Sequence, residues 1–498
     1  MAGKSFAKAV KWSYAANWGE KGFSALFTFF LAALLGPADF GIVAIAVVYI
    51  TFLQMLLDQG FAAALIQKKN LDEEHLNAVF WMDLALGLLL VAASILLSRW
   101  WAGLNHAPGA ALIISVLSLC IPVEGLAIVQ KSLLSREMDF KSLSVRSNVS
   151  VLIGGATGVA MAYAGLGVWA LVGQQITRDV AALVLLWRLS HWRPRFSFSW
   201  KHLNDLMGFS VSNFLAQLGV FADTYASSIV LGLFFGPVAV GLYRLADRVM
   251  NTVLSAATSS IQAVSLPEFS RFQDQPAELK RSVLLCIRLS STVTLPALAG
   301  LAAVSGPLML FLGPKWVPAA RVLQILCILG MFFAFAYFTG PLLQALSKVK
   351  LAAILEWART LAGVAFLLVT GFLVRSQPIA SQIAGIALAR FLVGAVLVAP
   401  VFVWLLMRLA GISLGELFLS VLPSVTASVA VVLCVMLLRA SGWPASTGST
   451  IVLGSEVIFG GAAGLSVLFA LDAQLRSATV RLIKRRLGNA PVAVKEVA

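Results

Sequence analysis

Residues 31–46 read LAALLGPADFGIVAIA, and residues 231–246 read LGLFFGPVAVGLYRLA. Gly36-Pro37 and Gly236-Pro237 each divide two long apolar runs, and Gly41 or Gly241 follows four residues after the proline. Leu31 with Leu231 and Ala46 with Ala246 keep the same register. Proline cannot continue the incoming hydrogen-bond ladder, and glycine accepts backbone angles closed to other residues, so Gly-Pro between apolar runs predicts a tight helical hairpin. Two such hairpins in one register predict two homologous halves.

Working outward, the 498 residues are 60% hydrophobic and 12% charged, with mean hydropathy +0.91. A soluble domain cannot hide that much apolar surface; a chain solvated by lipid need not. Fourteen spans are expected, at 13–35, 40–66, 75–97, 109–129, 144–164, 168–188, 204–232, 238–265, 281–304, 318–346, 351–374, 379–407, 415–438 and 450–472. The predicted fold class is therefore an all-α polytopic membrane protein. Six spans separate the hairpins, so both halves enter the membrane the same way, as a parallel repeat about the membrane normal. The expected division is an N-terminal lobe over 1–190, a C-terminal lobe over 191–408, an added helix pair over 409–475 and a basic tail over 476–498.

The net charge of +15 invites a nucleic-acid partner, but the positions exclude one. Basic residues gather in alternate loops: Lys68 and Lys69; Lys131, Arg136, Lys141 and Arg146; Arg188, Arg193, Arg195 and Lys201; Arg271, Lys280 and Arg281; Lys348 and Lys350; Arg408; and the tail from Arg476. The opposite loops hold only Arg99, Lys315, Arg375 and Arg439. The positive-inside rule then predicts both termini in the cytoplasm. Lys4, Lys8 and Lys11 precede a run that contains Glu20 and Lys21, which fits a retained first helix better than a signal peptide. The segments 130–143 and 188–203 mix basic with aromatic or apolar residues, as inner-leaflet surface segments do and as ordinary connectors also do. Cys120, Cys286, Cys327 and Cys434 sit in apolar runs at no ligand spacing, and His75, His106, His191 and His202 are scattered; neither set suggests a metal or a catalytic dyad. With no nucleotide-binding motif either, no cofactor is expected.

Charges in the spans are costly and mark function or pairing. Asn17, Lys21, Ser24 and Thr28 form one polar stripe on the first span, with Glu20 beside it. Asn213, Gln217, Thr224 and Ser228 form another on span seven, with Asp223 adjacent. Span eight carries Arg244, Arg248, Asn251, Ser255 and Thr258 on one face, plus Asp247, and span two carries Asp58. At about 1.5 Å per helical residue from the Gly-Pro turns, Lys21, Asp223 and Arg248 lie about 18–22 Å deep and Arg244 about 12 Å deep. Neighbours on a helix point about 100° apart, so the adjacent opposite charges Glu20–Lys21, Asp247–Arg248 and Arg178–Asp179 need other partners. Interhelical ion pairs are the competing role. Pairing or a helix-end position is expected of Arg178–Asp179, Asp83, Glu124, Arg288, Arg321, Glu356–Arg359, Arg390 and Glu456.

The span count, the hairpin LLGPADFG followed by LLDQGFAAALIQKK, and GLYRLADRVMN in the second half resemble the polysaccharide transport family, and within it the Wzx-type flippases of the multidrug/oligosaccharidyl-lipid/polysaccharide exporter superfamily. The resemblance covers nearly the whole chain and rests on pattern. It implies two six-helix lobes rocking about a central cavity, a bacterial inner-membrane location, and an undecaprenyl-pyrophosphate-linked oligosaccharide as cargo for exopolysaccharide or lipopolysaccharide export. A polymerase and export machinery are the implied partners. Lys21, Arg244 and Arg248 fit the basic cavity groups of such flippases. Arg and Lys suit a pyrophosphate, and Asn17, Asn213, Gln217 and Asn251 suit sugar hydroxyls. Glu20, Asp58, Asp223 and Asp247 are candidates for neutralising the empty cavity or binding a coupling cation. A multidrug or cation antiporter of the same superfamily is the alternative; its usual twelve spans and acidic, aromatic cavity fit less well. A membrane-embedded polymerase or ligase would need a large outer catalytic loop, which the chain lacks.

Overall fold

The computed structural model describes residues 19–58, 60–442, 449–471 and 476, with backbone alone over 207–213. Among these residues it is helical, without strands. The helices are α1 (19–34), α2 (Pro37–Asp58), α3 (Phe61–Gln67), α4 (Glu73–Leu104), α5 (Ala110–Leu117), α6 (Cys120–Arg136), α7 (Phe140–Tyr163) and α8 (Trp169–Leu189). The run Trp200–Arg271 follows, broken at Gly236 (φ 76°, ψ −170°) into α9 (200–235) and α10 (237–271). Next come α11 (Pro276–Ala303), α12 (Ser305–Phe311), α13 (Ala319–Ala336), α14 (Thr339–Ala345), α15 (Val349–Leu373), α16 (Ile379–Val393), α17 (Ala399–Leu409), α18 (Leu414–Ala440) and α19 (Ser449–Leu471). A π-helical turn, Gly394–Val398, joins α16 to α17.

Ten of these segments, some of them two helices in sequence, are long and apolar enough to cross a membrane. One, Phe214–Arg271, contains both arms of the second hairpin. The expected fourteen is thus not reached by this measure: α1, α7 and α8 stand at expected spans without being among the ten. The side-chain distribution is that of a membrane protein. Leu96, Leu373 and Leu437 point outward at 80%, 69% and 68% exposure, while Asp83, Asp247 and Glu456 are buried. Apolar surface outside costs nothing in lipid, and polar groups inside are removed from it.

The chain divides into two compact units. The first comprises Met1–Thr252, Met309–Leu326 and Lys348–Val398. Its centre is the pair of Gly-Pro turns, which touch. A Cβ on Gly41 would lie 1.7 Å from the Pro237 carbonyl oxygen, and one on Gly241 would lie 1.9 Å from that of Pro37. Only glycine admits this backbone-to-backbone approach. Each repeat's glycine meets the other repeat's proline, so the contact is reciprocal. The second hairpin folds back sharply: the Arg244 guanidinium stands 5.2 Å from the Tyr225 ring centroid, whereas a straight helix would separate the two by about 28 Å. Small residues also let α7 lie against α8, since Cβ atoms on Gly154 and Gly158 would meet Gln174 at 2.7 and 2.8 Å. Two helix starts are capped by side chains in the plainest way, α18 by Ser413 and α7 by Asp139, which accepts from the Ser142 amide at 3.1 Å.

The second unit comprises Val253–Leu308, Cys327–Ser347 and Ala399–Ala498. In it α11 packs on α18, and α18 on α19. Phe269, Ile287, Phe338 and Leu406 lie in its core. Arg439 Nε binds the buried Glu456 carboxylate at 2.7 Å, and Arg439 Nη2 donates to the Ala303 carbonyl at 2.7 Å, which ties together the ends of α11, α18 and α19.

Candidate functional site

The first unit gathers most of the ionisable residues singled out from the sequence. On α1, Ser24 accepts a hydrogen bond from Arg248 Nη2 of α10 at 2.7 Å. Thr28, a turn further along, turns its hydroxyl back to the Ser24 carbonyl at 2.7 Å. Lys21 lies three residues before Ser24, about 4.5 Å along the axis, so it shares the stripe that meets Arg248. Glu20, on the neighbouring face, is held by Arg178 Nη2 of α8 at 3.1 Å and by the Ser147 hydroxyl of α7. The expectation that Glu20 needs a partner from another helix holds, and Arg178 supplies it. Asp179 instead accepts from Gln175 Nε2 at 3.1 and 2.9 Å.

A second array lies one turn of α10 away. Asp247 is 7% exposed and stands between Arg390 Nη1 at 3.5 Å and Arg244 Nη1 at 3.7 Å. Arg390 also lies 3.5 Å from the Tyr243 hydroxyl. Asp223 of α9 pairs with Arg359 Nη2 at 3.2 Å, and Arg359 pairs too with Glu356 on its own helix. Sequence reasoning assigned Arg359 and Arg390 to structural pairing, and paired they are, with acids that the sequence placed in the cavity. Glu20, Asp223 and Asp247 therefore each face an arginine. Among the described residues Lys21 has no ion pair, and Arg248 has only its bond to Ser24. Arg248 is exposed although Asp247, Val249 and Met250 around it are buried, so its guanidinium faces open space. Its planar fork is suited to an anion that offers two oxygens.

The other residues fall as follows. Gln217 is half-buried and Asn251 exposed. Asn17 and the side chain of Asn213 lie outside the described residues. Asp58 is not joined to either array by any hydrogen bond or ion pair; its Oδ1 accepts the Ala62 amide at 3.0 Å and caps α3. Asp83, expected to be paired or at a helix end, is neither among the described residues: it is 0% exposed within α4, and neither carboxylate oxygen has a hydrogen-bond partner there. Glu124 lies 3.4 Å from Lys131 Nζ.

One cluster escaped sequence reasoning because its members are far apart in the chain. Asp72, His75 and His202 bring potential ligand atoms within 4.8 Å of one another. Their hydrogen bonds favour a structural role over a metal. His75 Nδ1 accepts the Asp72 amide at 3.3 Å, which leaves its Nε2 as the N–H facing Asp205 Oδ2 at 3.4 Å. A metal on Nε2 would force the proton onto Nδ1, against that amide. His202 Nδ1 lies 2.7 Å from Ser199 Oγ and 3.1 Å from Glu74 Oε2. Lys68 and His75 thus both reach the Asp205 carboxylate. Together these contacts fasten the start of α9 to the start of α4.

Against known proteins, 326 residues of the chain are 28% identical to the succinoglycan biosynthesis transport protein ExoT of Rhizobium meliloti (strain 1021), covering 65% of this chain and 66% of that one. Over 325 residues it is 26% identical to the lipopolysaccharide biosynthesis protein WzxC of Escherichia coli (strain K12), again 65% of this chain and 66% of the relative. The matched stretches thus span just under two thirds of those relatives. In fold the chain is similar to the lipid II flippase MurJ in an inward closed conformation, with TM-score 0.73 and 14% identity over 95% of this chain and 99% of that one. Residues 30–321, more than half of the chain, match the family described as polysaccharide biosynthesis protein, and with the paired Gly-Pro hairpins at its centre the chain belongs to that family.

Proposed function

We propose that the protein is a flippase that moves undecaprenyl-pyrophosphate-linked oligosaccharides from the inner to the outer leaflet of the bacterial plasma membrane, for exopolysaccharide or lipopolysaccharide export. The observation that carries this reading is the charge imbalance of the site: Glu20, Asp223 and Asp247 are each matched by arginines, while Lys21 and Arg248 on the facing stripes of α1 and α10 pair with no carboxylate among the described residues. Two cationic side chains on facing stripes without a carboxylate partner among the described residues favour an anionic cargo over the cationic drugs of an antiporter. The transport relatives ExoT and WzxC and the MurJ-like fold support the same reading.

In this mechanism Lys21 and Arg248 hold the pyrophosphate, and Asn251, Gln217 and Ser24 meet sugar hydroxyls. The lipid tail stays in the bilayer. The lobes 1–190 and 191–408 rock about this site, both termini face the cytoplasm, and the Gly-Pro turns lie outside. A polymerase and export machinery take the product. The test is a gene deletion complemented with the parent or with Arg248→Ala. The deletion should accumulate lipid-linked oligosaccharide in the inner leaflet, and Arg248→Ala should leave it there although the protein still inserts. Full complementation by Arg248→Ala would remove the anion-holding role; unchanged leaflet distribution in the deletion would remove the flippase reading.

A further inference from the structure

The two repeats grip each other through a second, crossed set of contacts beside the Gly-Pro turns. Asn105-His106-Ala107-Pro108 and Lys315-Trp316-Val317-Pro318 share a sequence pattern, each with a proline two residues after a ring N–H donor. His106 Nε2 lies 3.1 Å from the Leu233 carbonyl, so that nitrogen carries the hydrogen and donates. Lys315 Nζ donates to the Ala33 carbonyl at 3.0 Å and Trp316 Nε1 to the Ala32 carbonyl at 2.7 Å. Ala33 and Leu233 are equivalent positions, three residues before Gly36 and Gly236. Carbonyls in the last turn of a helix have no partner within the helix, and here the loop of one repeat satisfies the helix end of the other. Close packing accompanies each bond. Trp316 is fully buried and meets Phe40 edge-on with ring centroids 5.3 Å apart; Gly232 faces Asn105, whose Oδ1 would lie 2.1 Å from a Cβ there.

We propose that His106 with Asn105, and Lys315 with Trp316, form a double latch that holds the mouth at the Gly-Pro turns shut, and that its release is the outward-opening step of the transport cycle. In assigning this mouth to the outside the proposal rests on the flippase reading. Two features fit a latch better than permanent packing. First, the bonds end on backbone carbonyls at helix ends, which water can satisfy once the mouth parts, so opening strands no buried polar group. Second, at the turns themselves the apposed surfaces are glycines, Gly41 on Pro237 and Gly241 on Pro37, so that backbone parts from backbone there and Trp316 leaving Phe40 is the one large side chain uncovered. Because each loop holds the other repeat, neither clasp opens alone without straining its counterpart, which couples the two sides.

The experiment is a distance measurement between spin labels at Ala38 and Val238, both exposed on the two turns. It uses the full-length protein in lipid nanodiscs, with the native cysteines replaced. The parent should give one short distance. Trp316→Phe keeps the ring and removes the donor; His106→Ala removes the other clasp. Each should raise the population of a longer distance by about fivefold, the equivalent of one net hydrogen bond, and the double variant should raise it further. Should the double variant fail to fold, Lys315→Met decides, because Lys315 is exposed and its loss removes the Ala33 bond and the attraction to Asp39 of the same hairpin without opening a cavity. An unchanged short distance in every folded variant overturns the latch. Distances that lengthen while flipping of the lipid-linked oligosaccharide is never observed fault the cargo and leave the latch standing. Labelling of the turns from the cytoplasmic side faults only the orientation.

Discussion

At the residue scale, the site separates charges that hold the helices together from charges that the proposed function leaves for a cargo. Asp247 belongs to the first group. Replacing it by Asn leaves Arg390 and Arg244 without their carboxylate, and an uncompensated buried charge costs about 3 kcal/mol. Asp247→Asn should therefore lower the melting temperature in detergent, and adding Arg390→Gln should restore most of the loss; a double variant no more stable than the single one would mean that Asp247 and Arg390 are not a pair. Arg248 belongs to the second group. Among the described residues its one polar contact through the side chain is Ser24, so Arg248→Lys should melt with the parent. Lysine offers a point charge where arginine offers a fork, so flipping should fall although the charge is kept. Equal transport by the two would indicate that charge alone suffices.

Elements are set by their ends as much as by their apolar runs. Asp139 caps α7, taking hydrogen bonds from the Ser142 hydroxyl and, at 3.1 Å, from its amide. These bonds hold its carboxyl below the usual range. A group whose folded value is depressed contributes stability above its unfolded value, near pH 4, and loses it as the pH falls through the folded value. Asp139→Ala should thus cost about 1 kcal/mol at neutral pH, with the difference from the parent shrinking below about pH 4. Melting curves of both proteins across that range check the sign; a difference that grows on acidification would refute the cap.

For the whole molecule, contact between Pro37 and Gly241 and between Pro237 and Gly41 puts the two turns on one face. The proposed orientation, read from the loop charges, puts that face outside, and cysteine accessibility in cells tests it. Cysteines beside Gly36 and Gly236 should label from outside, and cysteines at Lys68 and Arg271 only after permeabilisation. The reverse pattern would invert the topology and with it the direction assigned to transport.

Composition and periodicity were enough to read the helical membrane class, because a chain this apolar has no other way to satisfy its backbone in lipid. The repeated Gly-Pro register revealed the hairpins, since glycine at 41 and 241 is required where two backbones touch. Polar stripes at helical spacing likewise pointed to Lys21, Arg244 and Arg248. Which of those charges are spoken for was decided only in three dimensions. Asp223 lies far along the chain from Arg359, Asp247 from Arg390 and Glu20 from Arg178, and no local pattern links them. The same holds for His106 on Leu233 and Trp316 on Ala32. Spacing along one helix shows which side chains share a face; the partner across the gap depends on how helices distant in sequence pack, and that is a property of the folded chain alone.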